Sequence, residues 1–187
     1  ELLCGIGNPS GKLSDTFAKK LEDYPSSATF HESVKYVDYK EDIYVGYRYF
    51  ETIPGADKEV NYPFGYGLSY TTFERALVSA EEENGVIRVR VNVTNTGKYP
   101  GKEVMQLYAQ APQGVLGKAK RVLAAFEKTR LLAPGETQIL TLEAPVAQLA
   151  SYDDLGKIQK SAYVLEKGEY QFYLGTSVRE TEQVFCF

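Results

Sequence analysis

Asn84-Gly85-Val86-Ile87-Arg88-Val89-Arg90-Val91-Asn92-Val93-Thr94 decides how this chain folds. An Asn-Gly pair takes up the positive φ angles of a tight hairpin turn. After it, Ile87, Val89, Val91 and Val93 fall on one side of an extended chain and Arg88, Arg90, Asn92 and Thr94 on the other. One face is therefore core and the other wet. Arg75–Glu82 supplies the strand before the turn. Downstream, Glu103–Gln110, Arg121–Lys128, Thr137–Ala144, Ser161–Leu165, Glu169–Gly175 and Gln183–Phe187 read as further strands, with Ala133-Pro134-Gly135-Glu136 and Lys167-Gly168 as turns between them. Leu140 and Leu142, like Tyr170, Phe172 and Leu174, alternate toward the same core, and Pro145–Tyr152 reads as a short helical turn. About seven or eight short strands in roughly 115 residues predict an Ig-like β-sandwich and are far too many for a parallel α/β sheet.

Working back from the hairpin, the text changes character. Tyr62-Pro63-Phe64-Gly65-Tyr66-Gly67-Leu68-Ser69-Tyr70-Thr71-Thr72-Phe73 holds aromatic rings that need surfaces to cover, and glycines that allow close backbone approach. It has too few charges for a free linker and reads as a packed connector. Before it, Val34, Tyr36, Ile43, Val45, Tyr47 and Tyr49 alternate with charged or small residues, which predicts two extended stretches between Val34 and Phe50, broken near Lys40-Glu41-Asp42. Residues 51–61 are polar, carry a Pro-Gly turn and read as a loop. Thr16–Pro25 has room for a turn or two of helix before proline stops it. Gly5-Ile6-Gly7-Asn8-Pro9-Ser10-Gly11 is loop-like, without the Gly-Lys-Ser/Thr order or the glycine spacing of a phosphate-binding loop. The division expected is residues 1–60 from one domain, 61–73 as connector and 74–187 as the β-sandwich.

Composition bounds the function. The chain has 187 residues, 43% hydrophobic and 25% charged, which is a globular balance. Its net charge of −4, without a run of Lys or Arg, leaves no electrostatic footprint for nucleic acid or anionic lipid. No apolar run approaches the ~20 residues of a membrane span, and no signal peptide is visible. The single histidine, His31, leaves almost no material for a His-based metal site or a Ser-His-Asp triad, and no cofactor is expected. Cys4 and Cys186 have no CxxC spacing and read as buried small hydrophobes rather than as a disulfide, which favours a cytoplasmic setting. A start at Glu-Leu-Leu-Cys, without Met, reads as the interior of a longer chain.

Carboxylates are plentiful enough to raise a glycosidase-type pair. Asp15 in Leu13-Ser14-Asp15-Thr16 reads as a helix N-cap or turn residue, Glu41 and Asp42 as residues ahead of a strand, and Asp153-Asp154 as a solvated turn. None sits where a raised pKa is expected. Asn92-Val93-Thr94 has the form of a glycosylation sequon on the outward face of a strand, read here as plain strand. Lys118, Lys120 and Arg121 form a small basic cluster, read as a solvated loop. Tyr62, Phe64, Tyr66 and Tyr70 could stack on a sugar ring, but packing between domains is the favoured reading. Catalytic and metal residues are thus expected to be absent from the chain, and no substrate-binding residue can be assigned.

Longer blocks carry a specific resemblance. Gly11-Lys12-Leu13 with Thr16-Phe17, Tyr39 to Phe50, Tyr62 to Phe73, Val93 to Gly97 followed by Gly101-Lys102-Glu103-Val104, Phe126-Glu127-Lys128, Leu132 to Glu136 and Gly168-Glu169-Tyr170 together resemble family 3 glycoside hydrolases, the β-glucosidase and β-xylosidase group, in family order over almost the whole chain. The resemblance implies that residues 1–60 are the closing part of the family's α/β sandwich domain and 72–187 its fibronectin type III-like domain. It implies retaining hydrolysis of a terminal β-linked sugar by the complete enzyme. The nucleophilic Asp would lie on a barrel domain and the acid/base Glu in a segment upstream of the part seen here. Ser14-Asp15 matches the nucleophile motif in letters only, because no apolar strand precedes it and the family usually has Pro where Ser14 stands. The expected role is a non-catalytic accessory portion, partnered by the barrel and α/β domains and inactive alone. The alternative is a stand-alone carbohydrate-binding or structural β-sandwich, which would need an exposed aromatic platform on the sandwich itself. The accessory role expects weak or no oligosaccharide binding.

Overall fold

The computed structural model describes residues Glu1–Phe187. Its elements, in chain order, are β1 (Phe17–Ala18), a 3-10 turn at Leu21–Asp23, another at Asp42–Tyr44, α1 (Tyr47–Thr52), a 3-10 turn at Ala56–Glu59, β2 (Val60–Tyr62), β3 (Phe73–Glu83), β4 (Val86–Asn95), β5 (Val104–Gln110), β6 (Val122–Lys128), β7 (Thr137–Pro145), a 3-10 turn at Val146–Leu149, β8 (Ser151–Asp153), β9 (Ala162–Val164), β10 (Gln171–Gly175) and β11 (Thr181–Cys186).

The sandwich is built from two antiparallel sheets, ordered β3-β4-β7 and β11-β10-β5-β6. Asn84 and Gly85, at φ 53° and 78°, make the tight turn that joins β3 to β4. Along β4 the side chains of Ile87, Val89, Val91 and Val93 are fully buried, and Val89 and Val91 stand opposite Leu142 and Leu140 of β7. From the other sheet, Met105, Leu107, Ala109, Phe172 and Leu174 complete one core of 14 buried residues. Arg88, on the wet face, pairs with Glu83 and Glu143.

The strand pattern expected after Phe73 holds, and the fold is mainly β. The expectation of two extended stretches between Val34 and Phe50 does not. Asp42–Tyr44 is a 3-10 turn and Tyr47–Thr52 an α-helix. Gly46, at φ 64°, redirects the chain just before the helix, a backbone state that β-branched or bulky residues resist. Beyond it Tyr47 and Phe50, three positions apart, are the buried residues of one helical face. Residues 51–61 likewise hold the end of α1, a 3-10 turn and most of β2 rather than a plain loop, and β2 pairs with β1. Within Thr16–Pro25 the local structure is β1 and a single 3-10 turn. No helix is long and apolar enough to cross a membrane.

Candidate functional site

β5 is buried on both faces. Met105, Leu107 and Ala109 enter the core, while Gln106 and Tyr108, pointing the opposite way, are also sealed from solvent. What covers them is the connector and α1. Phe64 stacks on Tyr47, with centroids 4.2 Å apart and planes at 22°, and both meet Tyr108 edge-on. Tyr47, Tyr108 and Val178 form a second small core. Edge-to-face and offset-stacked rings add about 0.5–1.5 kcal/mol per pair beyond the area they bury.

Gln106, Tyr108 and Tyr47, at the centre of this junction, all have hydrogen-bond partners. Gln106 donates to the Thr176 carbonyl at 2.7 Å and the Gly65 carbonyl at 3.3 Å, and its oxygen accepts from the Tyr108 hydroxyl. Burial pushes the Tyr108 phenol far above its ordinary pKa, so it remains a donor. The Val178 amide donates to the Phe64 carbonyl at 3.0 Å, and the Leu123 amide to the Tyr47 hydroxyl at 2.8 Å. At the rim Arg179 reaches Glu51 at 2.8 Å and the Asp57 carbonyl at 3.1 Å, and Lys12 pairs with Glu103 at 2.8 Å.

Each connector glycine has a reason in the same geometry. Gly65 sits at φ 80°, and a Cβ there would lie 2.2 Å from the Gln106 Oε1. At Gly67 a Cβ would lie 2.4 Å from the Gly11 carbonyl oxygen, against the loop that precedes Lys12. The ladder between Leu13 and the connector, Gly65 N to Leu13 O at 2.9 Å and Leu13 N to Tyr66 O at 2.8 Å, holds that loop in place. Thr71 ends the connector by donating at 2.7 Å to the buried Asn95, whose amide in turn donates to the Leu132 and Tyr99 carbonyls.

Several expected surface residues lie elsewhere. Lys118 is buried and ion-paired with Glu166, so the reading of its cluster as a solvated loop fails. That ammonium, then the Val115 and Leu116 amides, holds the Glu166 carboxyl below its usual range against the cost of burial. Arg121 lies over the Tyr173 ring at 4.1 Å and donates to the Val178 carbonyl. Asp153 is not a solvated turn but 1% exposed, and accepts from four successive amides, Gly156 to Gln159, at 2.7–3.0 Å. Burial would raise its carboxyl, yet those amides together bring it below the ordinary value. Asp154, Glu41, Asp42 and Lys120 do stay at the surface or near it.

Cys4 and Cys186 are exposed free thiols, not buried hydrophobes. Cys4 lies in the turns at the start of the chain and Cys186 at the last residue of the edge strand β11. Asp15 is exposed and accepts from the Thr16 amide at 2.7 Å, a turn rather than a helix cap, since β1 follows. Asn92 stands at the middle of β4 opposite Ile139 and Ala76, on the outer face of its sheet. Of the four connector aromatics, Phe64 is packed, while Tyr62 and Tyr70 are about half exposed. Gln106 and Tyr108 had no place among the expected site residues. Their signal is the run Val104-Met105-Gln106-Leu107-Tyr108-Ala109, apolar or aromatic at every position but Gln106, because a strand covered on both faces loses its alternation.

The molecule defined by this geometry is an Ig-like sandwich with one sheet face given over to a docked N-terminal segment. Residues 103–178 match the fibronectin type III-like domain family. The chain is 61% identical to β-glucosidase A of Butyrivibrio fibrisolvens over 96% of its own length and 24% of that protein. It is 49% identical to a β-glucosidase of Ruminococcus albus over all of its length and 19% of that one. Among solved structures, a β-glucosidase from Paenibacillus barengoltzii superposes with a TM-score of 0.94 at 55% identity, covering 98% of this chain and 20% of that one. β-Glucosidase 3B from Thermotoga neapolitana, solved with α-D-glucose, gives 0.88 at 43%, covering 100% and 25%. Over its whole length the chain is thus similar to one stretch of family 3 β-glucosidases, with residues 103–178 falling in their fibronectin type III-like domain. It spans about a fifth to a quarter of the length of the relatives it matches.

Proposed function

We propose that this chain is the non-catalytic accessory portion of a family 3 β-glucosidase and braces the catalytic domains of the complete enzyme. In this reading residues 1–60 are the closing part of an α/β domain, 61–73 the connector and 74–187 the accessory sandwich. Terminal β-linked glucose is the substrate class, split with retention by carboxylates outside this chain. The observation that carries the reading is the junction itself. Tyr47 and Phe64 seal Gln106 and Tyr108 with directional hydrogen bonds at both ends, an arrangement that transmits position rather than one that allows swivelling. Two further features agree. Leu3, Val34 and Tyr39 are almost wholly exposed, apolar surface that the remaining enzyme would cover. Asp15 has the bonding of a turn residue and not of a nucleophile.

The exposed thiols of Cys4 and Cys186 fit a reducing, cytoplasmic setting. The test is hydrolysis of an aryl β-glucoside by the purified 187-residue chain. No turnover above the uncatalysed rate is expected, and measurable turnover overturns the reading.

A further inference from the structure

A cleft of about 620 Å³ opens beside the junction, between the start of α1, the far end of β5 and the loop entering β8. Ligand pockets run to about 300–1,000 Å³, so it has room for one or two sugar rings. Among the groups lining it are Asp42 and Arg48 from the N-terminal segment and Gln148, Tyr152, Asp154 and Lys157 from the sandwich. The Nε of Arg48 is buried and has no protein partner. Tyr152 pairs in register with Tyr163 on the β8–β9 hairpin, their rings 5.2 Å apart, and the two side chains are 52% and 77% exposed. The hairpin does not yield there, because Asp153, which also lines the cleft, is fixed by four amides.

We propose that this cleft and its tyrosine pair bind a β-linked gluco-oligosaccharide, at a site that exists only while the N-terminal segment is docked on the sandwich. Two chemistries are needed to hold a sugar. Its C–H faces lie against aromatic rings, and its ring of hydroxyls needs both donors and acceptors. The tyrosine pair offers the first at the rim. Arg48 and Lys157 as donors, Asp42 and Asp154 as acceptors, and Gln148 as either, offer the second within. The mix of signs also argues against an anionic or cationic ligand, which would want one charge in excess. Exposed aromatic faces are therefore present on a hairpin outside the two main sheets, as two rings inclined at 60° rather than one flat platform. Open on one side and supplied with few buried anchors, the site binds weakly, with a Kd in the range of about 1 mM. The choice of ligand rests on the β-glucoside chemistry of the proposed function.

Titration of the ¹⁵N-labelled chain with cellotetraose, the β-1,4-linked glucose tetramer, tests it. Saturable amide shifts are expected within residues 42–48 and 148–163 and not across β3 or β4. Tyr163→Ala removes a solvent-exposed ring without touching the core, and Arg48→Gln removes the guanidinium whose Nε has no hydrogen-bond partner and whose other contact is the Tyr47 ring at 5.9 Å. Each is expected to weaken binding about tenfold, the equivalent of one aromatic or charge-assisted contact. Absence of saturable shifts in the folded wild-type chain overturns the proposal, as does wild-type affinity in both variants. So do shifts at Tyr163 that follow protein concentration and ignore the sugar, which would assign this face to a second copy of the chain. β-Glucoside turnover by the chain would instead sink the accessory reading and leave this site standing.

Discussion

At the scale of single residues, the ion pair of Lys118 and Glu166 ties two loops 48 positions apart, since Glu166 also accepts from the Val115 amide at 2.7 Å. A Cβ on Gly114 would run into the same carboxylate, so the loop is threaded closely around it. Lys118→Met keeps the aliphatic stem and deletes the charge. The carboxylate then remains buried with its main partner gone, at a cost of about 3 kcal/mol in denaturant unfolding. The pair also has a pH signature. Because Glu166 and Asp153 are both held below their ordinary values in the folded chain, their contribution is fully present above the unfolded carboxylate range. It is lost as pH falls through the folded values. Thermal melts should therefore drop steeply below about pH 4, and Glu166→Gln should melt lower at neutral pH with a shallower fall in acid. A melting temperature in that variant that tracks wild type at every pH would show the carboxylate carries no linkage. Nothing in the local sequence of Lys118-Ala119-Lys120-Arg121 marks the first of its cations as buried. The information lies in a glutamate that only the topology brings close.

At the scale of elements, two glycines at similar φ separate turn chemistry from docking. Gly85 sits at φ 78° with open space where a Cβ would go, so Gly85→Ala pays only the left-handed backbone strain, about 1 kcal/mol. Gly65→Val meets the Gln106 side chain and must break its hydrogen bonds to the Gly65 and Thr176 carbonyls. Hydrogen exchange should tell them apart. In Gly65→Val the amides of Leu13 and Val178 are expected to exchange at least about tenfold faster than in wild type, while Val89 and Val91 in the core keep their protection. Equal acceleration at both sets would mean that connector and sandwich open as one unit. The same contrast explains what the sequence could reveal. The β3–β4 hairpin is legible because its turn, its alternation and its one wet face are all local. Residues 34–50 mislead because Ile43, Val45, Tyr47 and Tyr49 alternate at four successive odd positions, and only the turn forced at Gly46 and the surfaces of Tyr108 and Leu123 show that Tyr47 begins a helix. Tyr108 was hidden for the complementary reason, since its cover comes from a segment more than forty residues away.

At the scale of the molecule, the two regions depend on each other unequally. All 14 residues of the main core lie between Ile87 and Leu174, so the sandwich carries its own hydrophobic centre. Residues 1–60 bury only Thr16, Thr29, Tyr47 and Phe50, and Tyr47 is buried by contact with the sandwich side. A segment with so little interior cannot offset the chain entropy of ordering sixty residues, about 1–2 kcal/mol each for the backbone alone. Removing residues 1–60 should accordingly leave a chain, 61–187, that still folds with a β-rich circular dichroism spectrum. Its stability should fall by about 3 kcal/mol, roughly 10 °C in melting temperature, as Tyr47 uncovers Phe64 and Tyr108. It should also show hydrophobic-dye binding at the face of β5 carrying Tyr108, which is opened, and Tyr108→Ser in the truncated chain should reduce that binding. The separate 1–60 peptide should show no cooperative melt. Adding that peptide back should not restore the lost stability at micromolar concentration, since its own ordering cost must be met before it can dock. An unchanged melting temperature in 61–187 would show that the N-terminal segment merely lies on the sandwich. It could not then transmit the position of one domain to another, and the bracing role would fail with it.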